Sequence, residues 1–268
     1  VDDKLSGLAL WLEELGSAAV AVSGGVDSMT LAVLAHRTRH AATTMFHAVS
    51  PAVPPEASER VRRYAHREGW DLEMFDAGEF GDTNYLSNPI DRCFHCKTHL
   101  YGAITERTTA TLLSGTNIDD LGDFRPGLAA AQTFDVRHPY VEVGIDKPTV
   151  RAIAADLGLH DLAELPAAPC LASRVETGIA IAPADLTAIN RVERAVRELL
   201  HPEVVRCRLR EDGIVVELDE ATLDALSTAQ RQEVHNVARA AWADRNDRPV
   251  RLAKYRRGSA FLQSDRRP

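Results

Sequence analysis

Cysteine is scarce, with four in 268 residues. That is too few for a disulfide scaffold in a chain of this size, so the four thiols need another explanation. Long apolar runs are absent too. No stretch approaches the roughly 18 apolar residues of a membrane span. The opening Val1-Asp2-Asp3-Lys4 has neither the basic start nor the apolar core of a secretory leader. The expectation is a cytoplasmic protein with no membrane partner. Basic charge is in deficit, 31 Lys+Arg against 39 Asp+Glu, a formal net charge of -8. Polyanion affinity comes mainly from basic residues, so no nucleic-acid partner is expected. The deficit is uneven: residues 1–182 carry the acidic excess, whereas from residue 183 onward basic residues slightly outnumber acidic ones. An anionic ligand between the two parts would fit that division. What remains is ordinary globular material, 45% hydrophobic and 26% charged, enough for one large or two ordinary domains.

Ala19-Val20-Ala21-Val22 predicts a short buried strand, and Ser28 to Ala35 the helix after it. Ser23-Gly24-Gly25 turns the chain between them. Paired glycines let backbone approach an anion closely, and a helix start adds free N–H donors and a positive dipole end. The Gly-Lys-[Ser/Thr] ending of a Walker A loop is missing, as is any Gly-x-Gly-x-x-Gly dinucleotide fingerprint. Ser23 to Ser28 instead resembles the Ser-Gly-Gly-x-Asp-Ser loop of the PP-loop ATP pyrophosphatases. Further strands are predicted at 43–50, 71–75, 112–116 and 137–140, with helices over 2–15, 56–69, 91–108 and 147–157. That alternation implies a parallel, doubly wound α/β sheet with ligands at the carboxyl ends of its strands. Ser23, Ser50 and the residues after Phe75 should line one crevice. Residues 159–182 lack periodicity, and a loop of that length is usually functional. From Pro183 the pattern changes to a helix, a hairpin (204–210 and 214–218), a helix over 221–243 and a last strand at 250–255, a small α+β domain. The expected division is 1–158, a loop at 159–182, 183–255, and a frayed tail at 256–268.

Cys93 and Cys96 are one helical turn apart, so both sulfurs can meet one metal or form one disulfide. A second Cys-x-x-Cys, needed for a four-thiolate zinc site, is missing. Cys170, in a Pro-rich polar loop, is the obvious third thiol, and Arg174 is placed to lower its pKa. Three thiolates can hold zinc, or an iron–sulfur cluster with one iron not bound by protein. Two ordinary helix cysteines or a redox pair explain Cys93 and Cys96 equally simply. Cys207 shares a strand face with Val205 and Leu209 and belongs to the core. The opposite face carries Arg206, Arg208 and Arg210, with Glu217 as a neighbour across the hairpin; it is either a solvated face or a phosphate site. Asp119, Asp120 and Asp123 follow a strand end, where carboxylates can bind Mg²⁺ or position a nucleotide.

Four stretches together, Ser23–Ser28, Cys93-Phe94-His95-Cys96-Lys97, Gly115 through Gly127, and Pro169-Cys170-Leu171-Ala172-Ser173-Arg174, resemble the LarE family over nearly the whole chain. These are ATP-dependent sulfur transferases of nickel-pincer nucleotide synthesis, with a PP-loop (adenine nucleotide α-hydrolase) fold. The resemblance implies ATP and Mg²⁺ as cofactors and a small nucleotide acceptor, pyridinium-3,5-biscarboxylic acid mononucleotide. A carboxylate is adenylated with release of pyrophosphate and then becomes a thiocarboxylate. It also implies a homo-oligomer. By matching position, Ser23, Gly24, Gly25, Asp27 and Ser28 hold the ATP phosphates and metal; Ser50, Asn117 and Asp119, placed after strand ends, are expected to complete the nucleotide site. Cys170 stands at the sulfur-donor position with Arg174 beside it. Arg206 and Arg208 match the substrate-phosphate arginines, and Glu217 a magnesium ligand. In one chemistry of this family three cysteines, here Cys93, Cys96 and Cys170, hold a [4Fe-4S] cluster that carries the sulfur. In the other the loop cysteine gives up its own sulfur and becomes dehydroalanine. The run Val175-Glu176-Thr177-Gly178 departs from the family's usual Ile-Pro-Tyr-Gly-like sequence.

Readings from other classes share the first motif. A tRNA thiolase of the PP-loop type would need a basic surface, and an amidotransferase-type synthetase a glutaminase domain. A non-catalytic nucleotide-binding module would bind ATP without releasing pyrophosphate.

Overall fold

A computed structural model describes residues 2–39, 42–122, 126–167, 169–243 and 248–260. They form two compact units, residues 2–80 with 91–167, and residues 81–90 with 169–260.

The first unit is built on β1 (Ala18–Ala21), β2 (Thr43–Ala48), β3 (Asp71–Phe75) and β4 (Thr111–Leu113). They pair in the order β3-β2-β1-β4, every pair parallel. Because strand side chains alternate between faces, Val20, Met45 and Leu113 enter one core while Ala19, Phe46 and Leu112 enter another. The helices Asp2–Glu13, Val26–Arg39, Pro55–Glu68 and Lys147–Asp156 supply the first core through residues such as Leu8, Leu31, Val61 and Ile153. Arg92–Thr105 and Gly127–Thr133 supply the second through Tyr101, Ile104 and Ala130. This is the expected α/β sheet with helices on both faces, consistent with a PP-loop-type fold. Val26–Arg39 is the central helix: from Val26 to His36 every residue except Asp27 is buried. A helix apolar all round belongs inside a fold, and Asp27 is the exception that faces out of its first turn.

Three local readings change. Arg137–Tyr140 is not a strand. Arg137 makes one bridge to Leu113, after which Pro139–Val143 is helical, because Pro139 has no N–H for a ladder and suits a first helical turn. The loop at 159–182 contains the short helix His160–Ala163 and the 3-10 turn Leu171–Arg174. The helix expected over 221–243 is two, Glu220–Ala225 and Thr228–Ala241. Ser227 starts the second with a reciprocal capping box to Gln230, a strong start signal inside an apolar-periodic run.

In the second unit β5 (Val205–Arg210) and β6 (Gly213–Leu218) form the expected antiparallel hairpin, and β7 (Val250–Lys254) adds to β6 in parallel. Residues 81–90, which the sequence reading left with the first domain, belong here. The buried Asn88 donates from Nδ2 to the carbonyls of Val175, Glu176 and Ile179 at 3.3, 2.8 and 3.0 Å. Residues 256–260, expected to fray, are tied in. Ser259 Oγ donates to Glu217 Oε1 at 2.6 Å, Ala260 O accepts from Thr177 N at 3.0 Å, and Ala260 is buried. The rest of the expected tail, 261–268, lies outside the described residues.

Gly24 has φ 80°, and a Cβ on it would sit 2.7 Å from Ala57 O and 3.0 Å from Ala57 Cα, where the next helix begins. Both the left-handed backbone and the contact exclude a side chain. Gly24→Ala should therefore lower unfolding stability by about 1–3 kcal/mol. Gly16→Ala, with nothing within 4 Å of the added carbon, should stay within about 0.5 kcal/mol of the parent. Urea unfolding of both variants checks this.

Candidate functional site

The turn after β1 is closed by its own serines. Ser28 Oγ accepts from Ser23 N at 3.0 Å, lies 3.1 Å from Ser23 Oγ and donates to Gly25 O at 3.3 Å. Met29 N then bonds Gly25 O at 3.0 Å, so the central helix starts directly from the glycine pair. Strand order reverses beside this turn, because the chain runs β1, β2, β3 to one side and returns to place β4 on the other. Such a reversal opens a crevice at the carboxyl ends of the two strands, the usual ligand position in a parallel sheet. Gly115, just after β4, is pressed against the turn: a Cβ there would meet Ser28 N at 2.7 Å and the Asp27 carbonyl carbon at 2.8 Å.

Asp27 collects partners from two distant elements. Lys147 Nζ lies 2.5 Å from Asp27 Oδ2 and Asn117 Nδ2 donates to Oδ1 at 3.1 Å. Lys147 N also donates to Asp119 Oδ2 at 3.0 Å, and Asp119 N to Asn117 Oδ1 at 3.0 Å. The structure therefore brings Ser23, Gly24, Gly25, Asp27, Ser28, Asn117 and Asp119 to one end of the sheet. The Asp27 and Lys147 side chains keep 26% and 30% of their surface exposed, so a ligand can reach both. Ser50 follows β2, half-buried, with Oγ accepting from Ala52 N at 3.3 Å. Asp120 caps locally, accepting from Asn117 N at 3.1 Å, and Asp123 lies outside the described residues.

Several residues that sequence reasoning missed hold this arrangement. His47 places Nδ1 2.8 Å from Val22 O and Nε2 2.8 Å from Ser58 Oγ. Burial holds the ring below its ordinary pKa. It is therefore neutral, donates from Nδ1 to the carbonyl and accepts from Ser58 at Nε2. Tyr140 OH donates to Asp27 O at 3.0 Å, and burial pushes its pKa well up, so it stays a donor. Arg60 Nη1 donates to Gly24 O at 2.8 Å. The missed residue with most consequence is Lys147. Its only sequence signal is Asp146-Lys147-Pro148, a helix start with the Asp146 side chain accepting from Thr149 N.

Cys93 and Cys96 lie half-buried on the first unit's helix Arg92–Thr105; Cys170 is exposed in the second unit, and none of the four cysteines is in a disulfide. Within neither unit do the described residues gather three or more His, Cys, Asp or Glu side chains as a metal site. Cys170 sits just before the turn Leu171–Arg174, and the fully buried Arg174 holds that turn. Arg174 forks onto Glu193, Nε to Oε1 at 2.9 Å and Nη2 to Oε2 at 3.0 Å. Its Nη1 donates to Pro169 O at 2.6 Å and Cys170 O at 3.2 Å. Arg174, expected to act on the thiol, also holds the backbone that carries it. Burial alone would raise the Glu193 carboxyl, but Arg174 overrides it and holds the carboxyl below its ordinary value. Cys207 is fully buried, and burial pushes its thiol far up, as a core residue's should be.

The expected arginine face is covered, not open. Arg206 and Arg208 are buried. Arg206 Nη1 donates to Val205 O at 2.7 Å and its guanidinium lies 5.8 Å from the Tyr255 ring centre. Arg208 donates to Ser173 O and Glu217 Oε2, both at 3.0 Å. Glu217 Oε1 accepts from Arg210 Nη2 at 2.9 Å and from Ser259. With both oxygens taken by guanidinium groups and a hydroxyl, Glu217 does not fit the magnesium role expected of it, because a cation there would meet two arginines at contact distance.

Glu193→Ala leaves the Arg174 charge buried and unpaired and should cost about 3–5 kcal/mol, read as a lower urea midpoint. Glu193's folded pKa is depressed, so its contribution is complete above the ordinary 4.5 and is lost as pH falls through the lower folded value. Stability of the parent should drop across that acid range, and the variant should lack that part of the drop.

No protein-family profile matches the chain. It is 35% identical over 222 residues to the uncharacterized protein slr1717 of Synechocystis sp., covering 81% of this chain and 82% of that protein. Similarity to the uncharacterized protein MJ0830 of Methanocaldococcus jannaschii is 25% over 205 residues, 75% and 77% of the two chains. Identity to the pyridinium-3,5-bisthiocarboxylic acid mononucleotide synthase of Lactiplantibacillus plantarum, a LarE protein, is 27% over 229 residues, 82% of this chain and 81% of that one. With 35% identity across four-fifths of both chains, this protein belongs to the same family as the Synechocystis protein, and it is LarE-like at a greater distance.

Proposed function

We propose that the protein is an ATP-dependent sulfur transferase acting on a small pyridinium nucleotide, pyridinium-3,5-biscarboxylic acid mononucleotide, whose carboxylates it converts to thiocarboxylates. The observation that carries this reading is the exposed Cys170 thiol on a turn held by a buried arginine, in a chain whose other unit carries a phosphate-type turn at a strand-order reversal. The name of the Lactiplantibacillus relative, a bisthiocarboxylic acid mononucleotide synthase, supports the same acceptor class.

In the first step a carboxylate oxygen of the acceptor attacks the α phosphorus of ATP. The bond to the oxygen bridging to the β phosphorus breaks, and pyrophosphate leaves with that electron pair. The protein's contribution is electrostatic. The N–H groups of Gly24, Gly25 and the first turn of Val26–Arg39 are suited to the phosphates, and Lys147, anchored on Asp27, offers its remaining donors to the charge that develops. Asp119 is the hard oxygen donor that would hold Mg²⁺, which takes few protein carboxylates alongside phosphate oxygens; both Asp27 oxygens are taken, by Lys147 and Asn117. In the second step sulfur attacks the acyl carbon and AMP leaves.

For the sulfur we favour a [4Fe-4S] site on Cys93, Cys96 and Cys170. The donor set fits by type, three thiols of which two are one helical turn apart. Such a cluster, held by Cys93, Cys96 and Cys170, would supply sulfide-level sulfur as the nucleophile. A second reading is favoured by the exposure of Cys170. Here Cys170 Sγ attacks the acyl carbon and forms a thioester. Loss of the Cys170 Cα proton with cleavage of Cβ–S then leaves dehydroalanine and the thiocarboxylate. A tRNA-thiolating or purely nucleotide-binding role is disfavoured by the net charge of -8 and by the cysteine set.

Pyrophosphate release from ATP should require the pyridinium biscarboxylate mononucleotide and not respond to tRNA. Lys147→Met should slow that release by roughly 10²–10³-fold. It should cost less than about 1 kcal/mol of stability, because the Asp27 pair is partly exposed. Anaerobically prepared protein should contain iron and acid-labile sulfide. Colourless protein whose Cys170 loses the mass of H₂S on turnover contradicts the cluster and establishes the second reading.

A further inference from the structure

Three carbonyls in and beside the turn after β1 each receive a side-chain donor from a different element. His47 Nδ1 of β2 donates to Val22 O at 2.8 Å, Tyr140 OH to Asp27 O at 3.0 Å, and Arg60 Nη1 to Gly24 O at 2.8 Å. The first two donors are neutral. Arg60 brings a full positive charge, to a turn that has no Walker A lysine.

Arg60 lies on the helix Pro55–Glu68, three residues after Ala57, which is pressed against Gly24. Residues three apart share a helix face, so that contact brings the arginine to the turn. The helix carries three further arginines, and each has a carboxylate: Arg62 pairs with Glu59, Arg63 with Asp161 and Arg67 with Glu68. Arg60 has no carboxylate partner among the described residues, and Gly24 O is its one acceptor there. Burial is the largest cause lowering its pKa, and Asp161, Tyr64 and Glu56 offset that only in part. The guanidinium is thus a half-buried charge with no direct counterion, one bond away from the phosphate-type turn.

In a trans peptide the C=O and N–H point in opposite directions. Gly24 is buried with its O turned to Arg60, so the Gly25 N–H of the same peptide faces the other way. There it meets the exposed Ser23 Oγ at 3.4 Å, a long, weak bond that yields to a better acceptor. A cation on the carbonyl polarises the peptide and strengthens its N–H as a donor. From bond lengths, the guanidinium would stand about 8 Å from an anion seated on that N–H. At that range a unit charge in a partly buried setting changes anion affinity roughly tenfold or more.

We propose that Arg60 is a positioning residue for ATP: through the Gly24–Gly25 peptide it turns the Gly25 N–H toward the phosphates and strengthens it as a donor. This rests on the turn being the ATP-phosphate site proposed above, and not on sulfur being the group transferred.

Calorimetric titration of the full chain with ATP and Mg²⁺ tests it on three variants with unchanged circular dichroism. Arg60→Lys keeps donor and charge, Arg60→Gln keeps a donor without charge, and Arg60→Met keeps neither. Arg60→Gln and Arg60→Met should bind ATP about tenfold more weakly or worse, and Arg60→Lys should recover most of that loss. A side chain that only braces the turn gives a different order, with Arg60→Gln as good as Arg60→Lys. Arg62→Ala, an exposed arginine of the same helix, should bind as the parent does. Parent-like affinity in Arg60→Gln, no recovery in Arg60→Lys, or an equal loss in Arg62→Ala overturns the proposal. In the pyrophosphate-release assay Arg60→Gln should raise KM for ATP about tenfold with KM for the acceptor unchanged; an equal rise in both overturns it. The expected order of ATP affinities without acceptor-dependent pyrophosphate release keeps Arg60 in this role and counts against the proposed function.

Discussion

A parallel strand can be followed by its neighbour only after a crossover, and the crossover helices must bury both faces of the sheet. In the first unit this leaves the strand ends as the open backbone of the sheet. The reversal between β1 and β4 makes one pair of ends diverge to opposite faces. The rest of the site follows from that constraint. Gly115 must lack a side chain because the turn after β4 touches the turn after β1. Between Val26 and His36, Asp27 is the one residue turned out of the core, because it lies where the helix starts at the strand ends. Lys147 and Asn117 reach it because their elements end at the same edge.

The second unit depends on a different balance, buried charge held by complementary charge. Arg174–Glu193 and the Arg208–Glu217–Arg210 cluster lie where desolvation is costly, and such groups are tolerated only when nearly every donor finds an acceptor. Arg174 shows what the arrangement achieves. Its fork is fixed by Glu193, and its other nitrogen holds Pro169 O and Cys170 O, so an exposed thiol is carried on a turn tied at two carbonyls. Preorganisation of that kind puts a reactive group in place without relying on the loop's own stiffness.

Much of this was legible in the residues. Period-2 alternation separated Cys207 from the arginines, and the glycine pair between an apolar strand and a helix placed the phosphate-type turn. Local pattern also located the hairpin at Glu211-Asp212-Gly213. What could not be read was where distant segments return. Alternation puts Arg206, Arg208 and Arg210 on one face but does not say that Tyr255 to Ala260 come back over it. A lone lysine at a helix start gives no sign that it ends 2.5 Å from a carboxylate 120 positions earlier. Residues 81–90 join the second unit through the amide of Asn88 and through Leu86 O and Asn88 O, which accept from Ile181 N and Gly178 N, contacts with no periodic signature. Pro139 was readable in principle, since a proline in a four-residue strand argues for a helix start.

The central claim is that the turn at Ser23–Ser28 serves cleavage of ATP between its α and β phosphates in the service of sulfur transfer. Phosphorus-31 NMR of the products formed with ATP, Mg²⁺ and the pyridinium biscarboxylate mononucleotide tests it most directly. The account predicts AMP and pyrophosphate in equal amounts; ADP and inorganic phosphate would contradict it.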